Sequence, residues 1–284
     1  MIKKLISAMI LLALSHTVLA FNQEELLVYS DSMKKDVPVT IITPDDFNSG
    51  KSYPVVYLLH GYSDNYRNWS VGGHIGRLAD QYDLIVVMPD GGFDSWYFDS
   101  PLKPEYRYET FVSKELISYI DGHYPTIADR SARAITGNSM GGHGALYLTI
   151  RHQDIFGSVG SLSGGVDFRP FPESWHIQQH LGTIQEYPEN WENNTVINMT
   201  HLITPGNLNI VFDCGSEDFF FEVNCNLHKK LLEAKIPHEF YVRPGHHNWV
   251  YWFNAVKYQF LFFSDRFQSA IQKSHASNAT LTEE

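Results

Sequence analysis

The sequence predicts an α/β fold with a mostly parallel central sheet and helices on both faces. Three observations point there. Short, continuous apolar runs recur along the chain, helical patterns separate them, and one glycine-rich turn joins a run directly to a helical pattern. Runs of this kind suit strands buried on both faces. Their alternation with helices is the mark of strand–helix–strand units.

Taken in order, residues 25–29 and 37–43 read as two early strands, an antiparallel entry to the sheet. Residues 54–60 (PVVYLLH) and 84–88 (LIVVM) are buried strands, the second ended by Pro89-Asp90-Gly91-Gly92, a strong turn signal. Further strands are expected at 132–136 (ARAIT), 158–162, 209–214 (NIVFDC) and 239–243 (EFYVR). Residues 110–120 place Phe111, Val112, Leu116, Ile117 and Ile120 close to helical spacing. A second helix, 140–151, follows the glycine-rich turn. A third, 221–234, starts acidic and ends near Lys229, Lys230 and Lys235, as the helix dipole favours. The aromatic stretch 249–263 is the closing helix, and residues 269–284 read as a polar tail. Two segments fit no strand–helix unit: 91–108, and 164–205 with Trp175 and Trp191. Long irregular segments in a compact domain are usually functional, so 164–205 reads as an inserted rim or lid.

Composition narrows the function classes. The chain has 284 residues, 43% hydrophobic and 19% charged, enough apolar material for a real core. Lys plus Arg number 21 against 32 for Asp plus Glu, a net charge of -11. That balance argues against nucleic acid as the partner, since phosphate binding needs a basic footprint. Lys3 and Lys4 precede an apolar run at 5–14, and Val18-Leu19-Ala20 resembles a cleavage site. Residues 1–20 therefore read as a secretory signal, with the domain spanning 21–268. On this reading the mature protein is exported, periplasmic or secreted, and keeps no stable membrane anchor. Only Cys214 and Cys225 are present; export permits a disulfide, but their placement in a strand and the next helix leaves pairing open.

The sharpest motif is Gly137-Asn138-Ser139-Met140-Gly141-Gly142, between an expected strand and an expected helix. That context is the one a nucleophile elbow requires. The tight turn needs glycines because side chains at the flanking positions would strike the neighbouring strand and helix. It lifts the Ser139 hydroxyl above the sheet at a helix N-terminus, where developing negative charge is favoured. A free serine hydroxyl is a weak nucleophile and needs a base and an orienter. In this arrangement the chain order is serine, acid, histidine. Asp218, just beyond the strand NIVFDC, is the preferred acid over Glu217 and over Asp213, which lies inside the strand. His246 and His247, in a Pro-Gly loop after the last strand, are the two candidates for the base. The oxyanion hole needs two backbone N–H groups, one from Met140 and one from Tyr62 in the loop His60-Gly61-Tyr62. His60 precedes the serine and reads as structural. His176 and His180 are spaced i, i+4, but neither a following Glu nor a third ligand makes a metal site, so none is expected.

YLLHGYSDNYRNW, AITGNSMGGHGAL, FDCGSEDFF and RPGHHNWVYW together resemble the esterase D family, also called the putative esterase family, of the α/β-hydrolase superfamily. The resemblance covers about residues 26–263 and is nearest to exported bacterial esterases associated with xylan. It implies the α/β-hydrolase fold and a serine esterase working without metal or organic cofactor. It implies Ser139 as nucleophile, Asp218 as acid and the N–H groups of Tyr62 and Met140 as oxyanion donors. It selects His247 over His246, because Trp249 then falls in the family's register; His246 stands where the family often has Gly or Ala.

The implied chemistry is acyl transfer through an acyl-enzyme that water hydrolyses. The expected substrate is a small-molecule or polysaccharide ester, either a short-chain ester or an acyl or feruloyl ester of carbohydrate. Trp96, Tyr97, Asp99 and Trp175 are the expected substrate contacts, and Trp191 is a further ring that could stack on a sugar or phenol. Two other readings share the fold: an acyltransferase of the mycolyltransferase type, and a non-catalytic binding module.

Overall fold

The computed structural model describes residues 21–281; the expected secretory signal lies outside the described residues. One eight-stranded sheet runs through the molecule in the order β1-β2-β4-β3-β5-β6-β7-β8. β1 (Phe21–Ser30) and β2 (Lys35–Pro44) form an antiparallel hairpin at one edge. β2 also runs antiparallel to β4 (Ile85–Pro89). Every other neighbouring pair is parallel: β3 (Val55–Leu59) with β4 and with β5 (Arg133–Gly137), then β6 (Ser158–Leu162), β7 (Asn209–Gly215) and β8 (Glu239–Arg243). This is the α/β-hydrolase arrangement, and all eight expected strands are present within a few residues.

The run PVVYLLH is apolar throughout because both of its faces are covered. Val55, Tyr57 and Leu59 belong to one core cluster, and Val56 and Leu58 to the other. The second cluster is closed by α1 (His74–Tyr82), which the sequence reading missed, and by the closing helix. The first is closed by a helical stretch and two long helices. The stretch comprises α2 (Tyr108–Thr110), a π turn (Phe111–Glu115) and α3 (Leu116–His123). The long helices are α4 (Met140–Arg151) and, beyond the inserted segment, the helix at Phe221–Glu233. α1 buries Ile75, Gly76 and Ala79 and packs Leu78 and Tyr82 on the same cluster, an apolar face at helical spacing that the sequence does carry. Gly76 is needed there because a Cβ would run into the Phe21 ring.

The segment 164–205 differs from the expectation of an irregular rim. It holds α5 (Ile177–Leu181), α6 (Pro188–Asn194) and a 3-10 turn at Val196–Leu202. Phe168, Ile177, Leu181 and Trp191 are fully buried in the same cluster as β3. Trp191 donates its indole N–H to Gly182 O at 2.9 Å, so it is a structural ring rather than a stacking platform. The last helices are α7 (Phe221–Glu233) and α8 (Trp249–Leu281); the latter runs through most of the stretch expected as a polar tail. Cys214 and Cys225 are both free. No helix among the described residues is long and apolar enough to cross a membrane.

Because Trp191 is wholly enclosed, Trp191→Ala should destabilise the protein by roughly 3–5 kcal/mol, read as a lowered urea midpoint. A change under about 1 kcal/mol, the range of exposed sites, would return the ring to the surface.

Candidate active site

The C-terminal ends of β3, β5, β7 and β8 deliver four loops to one place. At the end of β5 the chain turns sharply into α4 at Ser139, whose backbone sits at φ 56, ψ −115. A non-glycine residue in such a conformation stores on the order of 1–3 kcal/mol and persists only where its surroundings fix it. Ser139 N–H donates to Leu162 O at 2.9 Å, and Gly141 N–H to Asn138 O at 2.7 Å. The flanking glycines are required for space. A Cβ on Gly137 would lie 2.5 Å from Leu59 O, and one on Gly141 would lie 2.5 Å from the same atom and 2.7 Å from His60 O.

His247, in the loop after β8, brings Nε2 to 2.9 Å from Ser139 Oγ. Its Nδ1 lies 3.0 and 2.9 Å from the two carboxylate oxygens of Asp218, in the loop after β7. A carboxylate only accepts, so Nδ1–H donates to Asp218 and Nε2 is left to accept the Ser139 hydroxyl proton. Asp218 is itself fixed, since Phe220 N–H donates to its Oδ1 at 2.8 Å. The two loops are tied together: Ser216 N–H donates to Arg243 O and Glu217 N–H to Gly245 O. Gly215 must be glycine for that approach, as a Cβ would lie 2.2 Å from Gly245 O.

The rejected alternatives sit elsewhere. His246 points outward to Glu217 at 3.1 Å, with both side chains exposed. Asp213 is buried within β7, beside Gln259 at 3.1 Å. Burial pushes its carboxyl up to about 7, with Arg243 pulling the other way from 3.8 Å. His60 is enclosed and lowered by burial; its Nε2 accepts Gly91 N–H and its Nδ1 donates to Gly61 O.

Met140 follows Ser139 at the start of α4, and Tyr62 follows Gly61 in the loop after β3. No acceptor among the described residues takes the N–H of either. Gly61 lets the loop close onto the elbow, for a Cβ there would lie 2.8 Å from Asn138 Nδ2.

The expected substrate contacts divide. Trp96 and Tyr97 are enclosed, at 1% and 0% exposure. Both adopt positive φ, 52 and 61, which turns the rings inward. Tyr97 donates to His60 O and packs on Gly91 and Gly144, while Trp96 packs on Gly165 and His143. They brace the site from beneath instead of lining it. Asp99 holds the start of α2, accepting from Thr110 N–H and Oγ1. It opens on a polar cleft of about 680 Å³ whose lining includes Glu109, Arg151 and Asn194 but none of Ser139, Asp218 and His247. Trp175 alone of the four reaches the surroundings of His247. It stacks on Phe219 at 5.7 Å, and Phe219 lies 4.2 Å from the His247 ring.

Phe219 and Phe220 were missed, although they follow Asp218 directly in FDCGSEDFF and so had to lie beside it. His143 was missed too. It is buried on α4 with Nδ1 3.1 Å from Trp96 O and Nε2 2.9 Å from Asn194 O, so it joins the 91–98 loop to the inserted segment.

Known proteins share this fold. A family model, Putative esterase, matches residues 30–262. An esterase of Mycobacterium tuberculosis is 37% identical over 136 residues, 46% of this chain; the chain spans 30% of that protein's length. An acetyl esterase of Caldicellulosiruptor saccharolyticus is 28% identical over 244 residues, covering 79% of this chain and 91% of that one. The solved structure of a ferulic acid esterase superposes with a TM-score of 0.75 at 29% identity, covering 87% of this chain and 98% of that one. With its fold, its elbow and this match, the chain belongs to the putative esterase family of α/β-hydrolase-fold proteins.

Proposed function

We propose that the protein is a serine carboxylic-ester hydrolase in which Ser139, His247 and Asp218 act as a catalytic triad. The observation that carries this is the chain of contacts from Asp218 through His247 Nδ1 and Nε2 to Ser139 Oγ, each at 2.9–3.0 Å. His247 takes the hydroxyl proton as Ser139 attacks the ester carbonyl. Asp218 holds the imidazole in the tautomer that leaves Nε2 free and stabilises the imidazolium that forms. The N–H groups of Tyr62 and Met140 receive the oxyanion of the tetrahedral intermediate; one such donor is typically worth about 2.7–4 kcal/mol of barrier. His247 then returns the proton to the departing alcohol, and water repeats the cycle on the acyl-enzyme.

The substrate class we propose is an acyl or aromatic-acyl ester of carbohydrate, met outside the cytoplasm if residues 1–20 are a secretory signal. Supporting it are the likeness to an acetyl esterase and a ferulic acid esterase. The rings of Trp175 and Phe219 beside His247 also favour a flat substrate group.

A fluorophosphonate probe should label the wild-type protein, and Ser139→Ala should abolish labelling and hydrolysis of p-nitrophenyl acetate, methyl ferulate and acetylated xylan alike. A folded wild type that neither labels nor hydrolyses any of these would end the proposal.

Asp218→Asn should lower kcat by about 10⁴-fold through the wrong imidazole tautomer, while Asp213→Asn leaves kcat within a few-fold. The Asp213 carboxyl, near 3.8 unfolded and raised to about 7 by burial, favours folding most below pH 4 and loses that contribution as pH rises through 7. The melting temperature of Asp213→Asn should therefore gain on the wild type between pH 5 and pH 8. Equal kcat losses at both acids, or a gap that narrows in the other direction, would contradict these assignments.

His247→Ala should eliminate turnover, whereas His246→Ala, at an outward-facing ion pair, should keep most of it. Activity measurements giving the reverse would exchange the two.

A further inference from the structure

The loop after β4 and the inserted segment meet at Tyr62. Asp94 is buried and accepts a hydrogen bond from His176 Nδ1 at 3.0 Å. Its other oxygen lies 3.2 Å from Nε2 of His180, which is fully enclosed. The His176 ring meets the Tyr62 ring edge-on, with centroids 5.7 Å apart at 79°, and lies over Phe93 at 5.9 Å and 28°. Tyr62 also packs on Phe93 at 4.9 Å, and the N–H of Ser63 donates to Phe93 O at 2.8 Å. The Tyr62 ring is thus gripped by two groups, Phe93 and His176. Both depend on Asp94, one as its chain neighbour and the other as its hydrogen-bond partner.

The backbone at this point is unusual. Trp175 and His176 are consecutive and both left-handed, at φ 51 and 57. Two adjacent non-glycine residues hold that conformation only where their surroundings impose it. Here Trp96 Nε1–H donates to Trp175 O at 3.3 Å and Gln179 N–H to His176 O at 2.8 Å. The twist sends the two rings to different partners. Trp175 stacks on Phe219 beside His247, and His176 covers Tyr62.

We propose that Asp94 and His176 are positioning residues for the oxyanion hole: the carboxylate-anchored imidazole holds the Tyr62 ring and so fixes the direction of the Tyr62 N–H. The inference rests on the role proposed above for Tyr62. A backbone donor has no rotamer of its own, so it is aimed only by fixing the peptide plane it belongs to, here the one joining Gly61 to Tyr62. Its contribution comes from being directed at the place the oxyanion takes in the transition state, not at the ground-state carbonyl. A loosened Tyr62 therefore weakens transition-state binding and leaves ground-state binding alone.

The test uses the full-length protein, p-nitrophenyl butyrate, and an alkyl trifluoromethyl ketone, whose serine adduct carries the oxyanion. Rates are normalised to sites titrated by fluorophosphonate, which removes misfolded protein from the comparison. For His176→Ala and Asp94→Asn, kcat should fall about tenfold, a part of what loss of a whole donor causes. The ketone Ki should rise by the same factor and KM should stay within about twofold. His176→Gln, which retains an N–H for Asp94, should recover part of kcat. If Asp94→Asn fails to fold, the exposed His176 carries the test alone. A raised KM with unchanged kcat and Ki would make His176 a substrate contact and overturn the proposal; so would three unchanged constants. Failure of the wild type to label with fluorophosphonate is a different result, for it removes the triad and not the clamp.

Discussion

The strained turn at Ser139 is the constraint on which the site depends. An L-residue at positive φ between a strand and a helix is unfavourable by itself, and four backbone hydrogen bonds hold it in place. Leu162 O and Asn138 O take the N–H groups of Ser139 and Gly141, while Ser139 O accepts from His143 and Gly165. Those partners come from the residue just after β5, from β6, from α4 and from the start of the inserted segment. The hydroxyl is therefore positioned by the packing of the sheet itself, not by a mobile loop. Close approach to Leu59 O is the second half of the constraint, since it brings the loop carrying Tyr62 against the elbow.

The parallel sheet explains why the rest of the site arrives where it does. In a parallel sheet every strand ends on the same side, so the loops after β3, β5, β7 and β8 share one edge. β7 and β8 pair in register from Val211↔Glu239 to Gly215↔Arg243, which fixes the loop bearing Asp218 beside the loop bearing His247. The serine lies two strands from β7, so His247 must reach back over the sheet. Phe219, Phe220 and Trp252 pack around its ring at 4.2, 5.5 and 4.9 Å and hold it there.

The strands and the elbow were legible in the sequence because each leaves a local trace. PVVYLLH is apolar on both faces, and Gly-Asn-Ser-Met-Gly follows a buried strand directly. The order of serine, acid and histidine was legible too, because it follows from strand order. What was not legible lies in long-range packing. Trp96 and Tyr97 follow a strand end and are aromatic, so they read as substrate contacts. Only the backbone's left-handed turn at both residues sends their rings into the core, and no pattern in GGFDSWYFDS announces it. Trp191 was ambiguous for the same reason. A ring in an irregular segment looks available until the segment is seen to bury it against Phe168. Phe219 and Phe220 were within reach of sequence reasoning, since residues adjoining the proposed acid, Asp218, in a tight loop must share its surroundings.

Phe219, Phe220 and Trp252 pack on the His247 ring, with Trp175 stacked behind Phe219, and present polarisable but uncharged surface to the imidazole. Fewer waters compete for the Asp218–His247 contact, and charge interactions gain strength as the local dielectric falls. Asp218 is 6% exposed, yet it is not left as an isolated buried charge, because His247 Nδ1–H and Phe220 N–H both donate to it. Asp213, five residues earlier and inside β7, shows the alternative outcome. A carboxyl enclosed without an imidazole partner is driven toward its neutral form and cannot hold a developing positive charge. The same residue type thus meets two fates within and just beyond one strand, and what separates the two is the histidine delivered by the neighbouring loop.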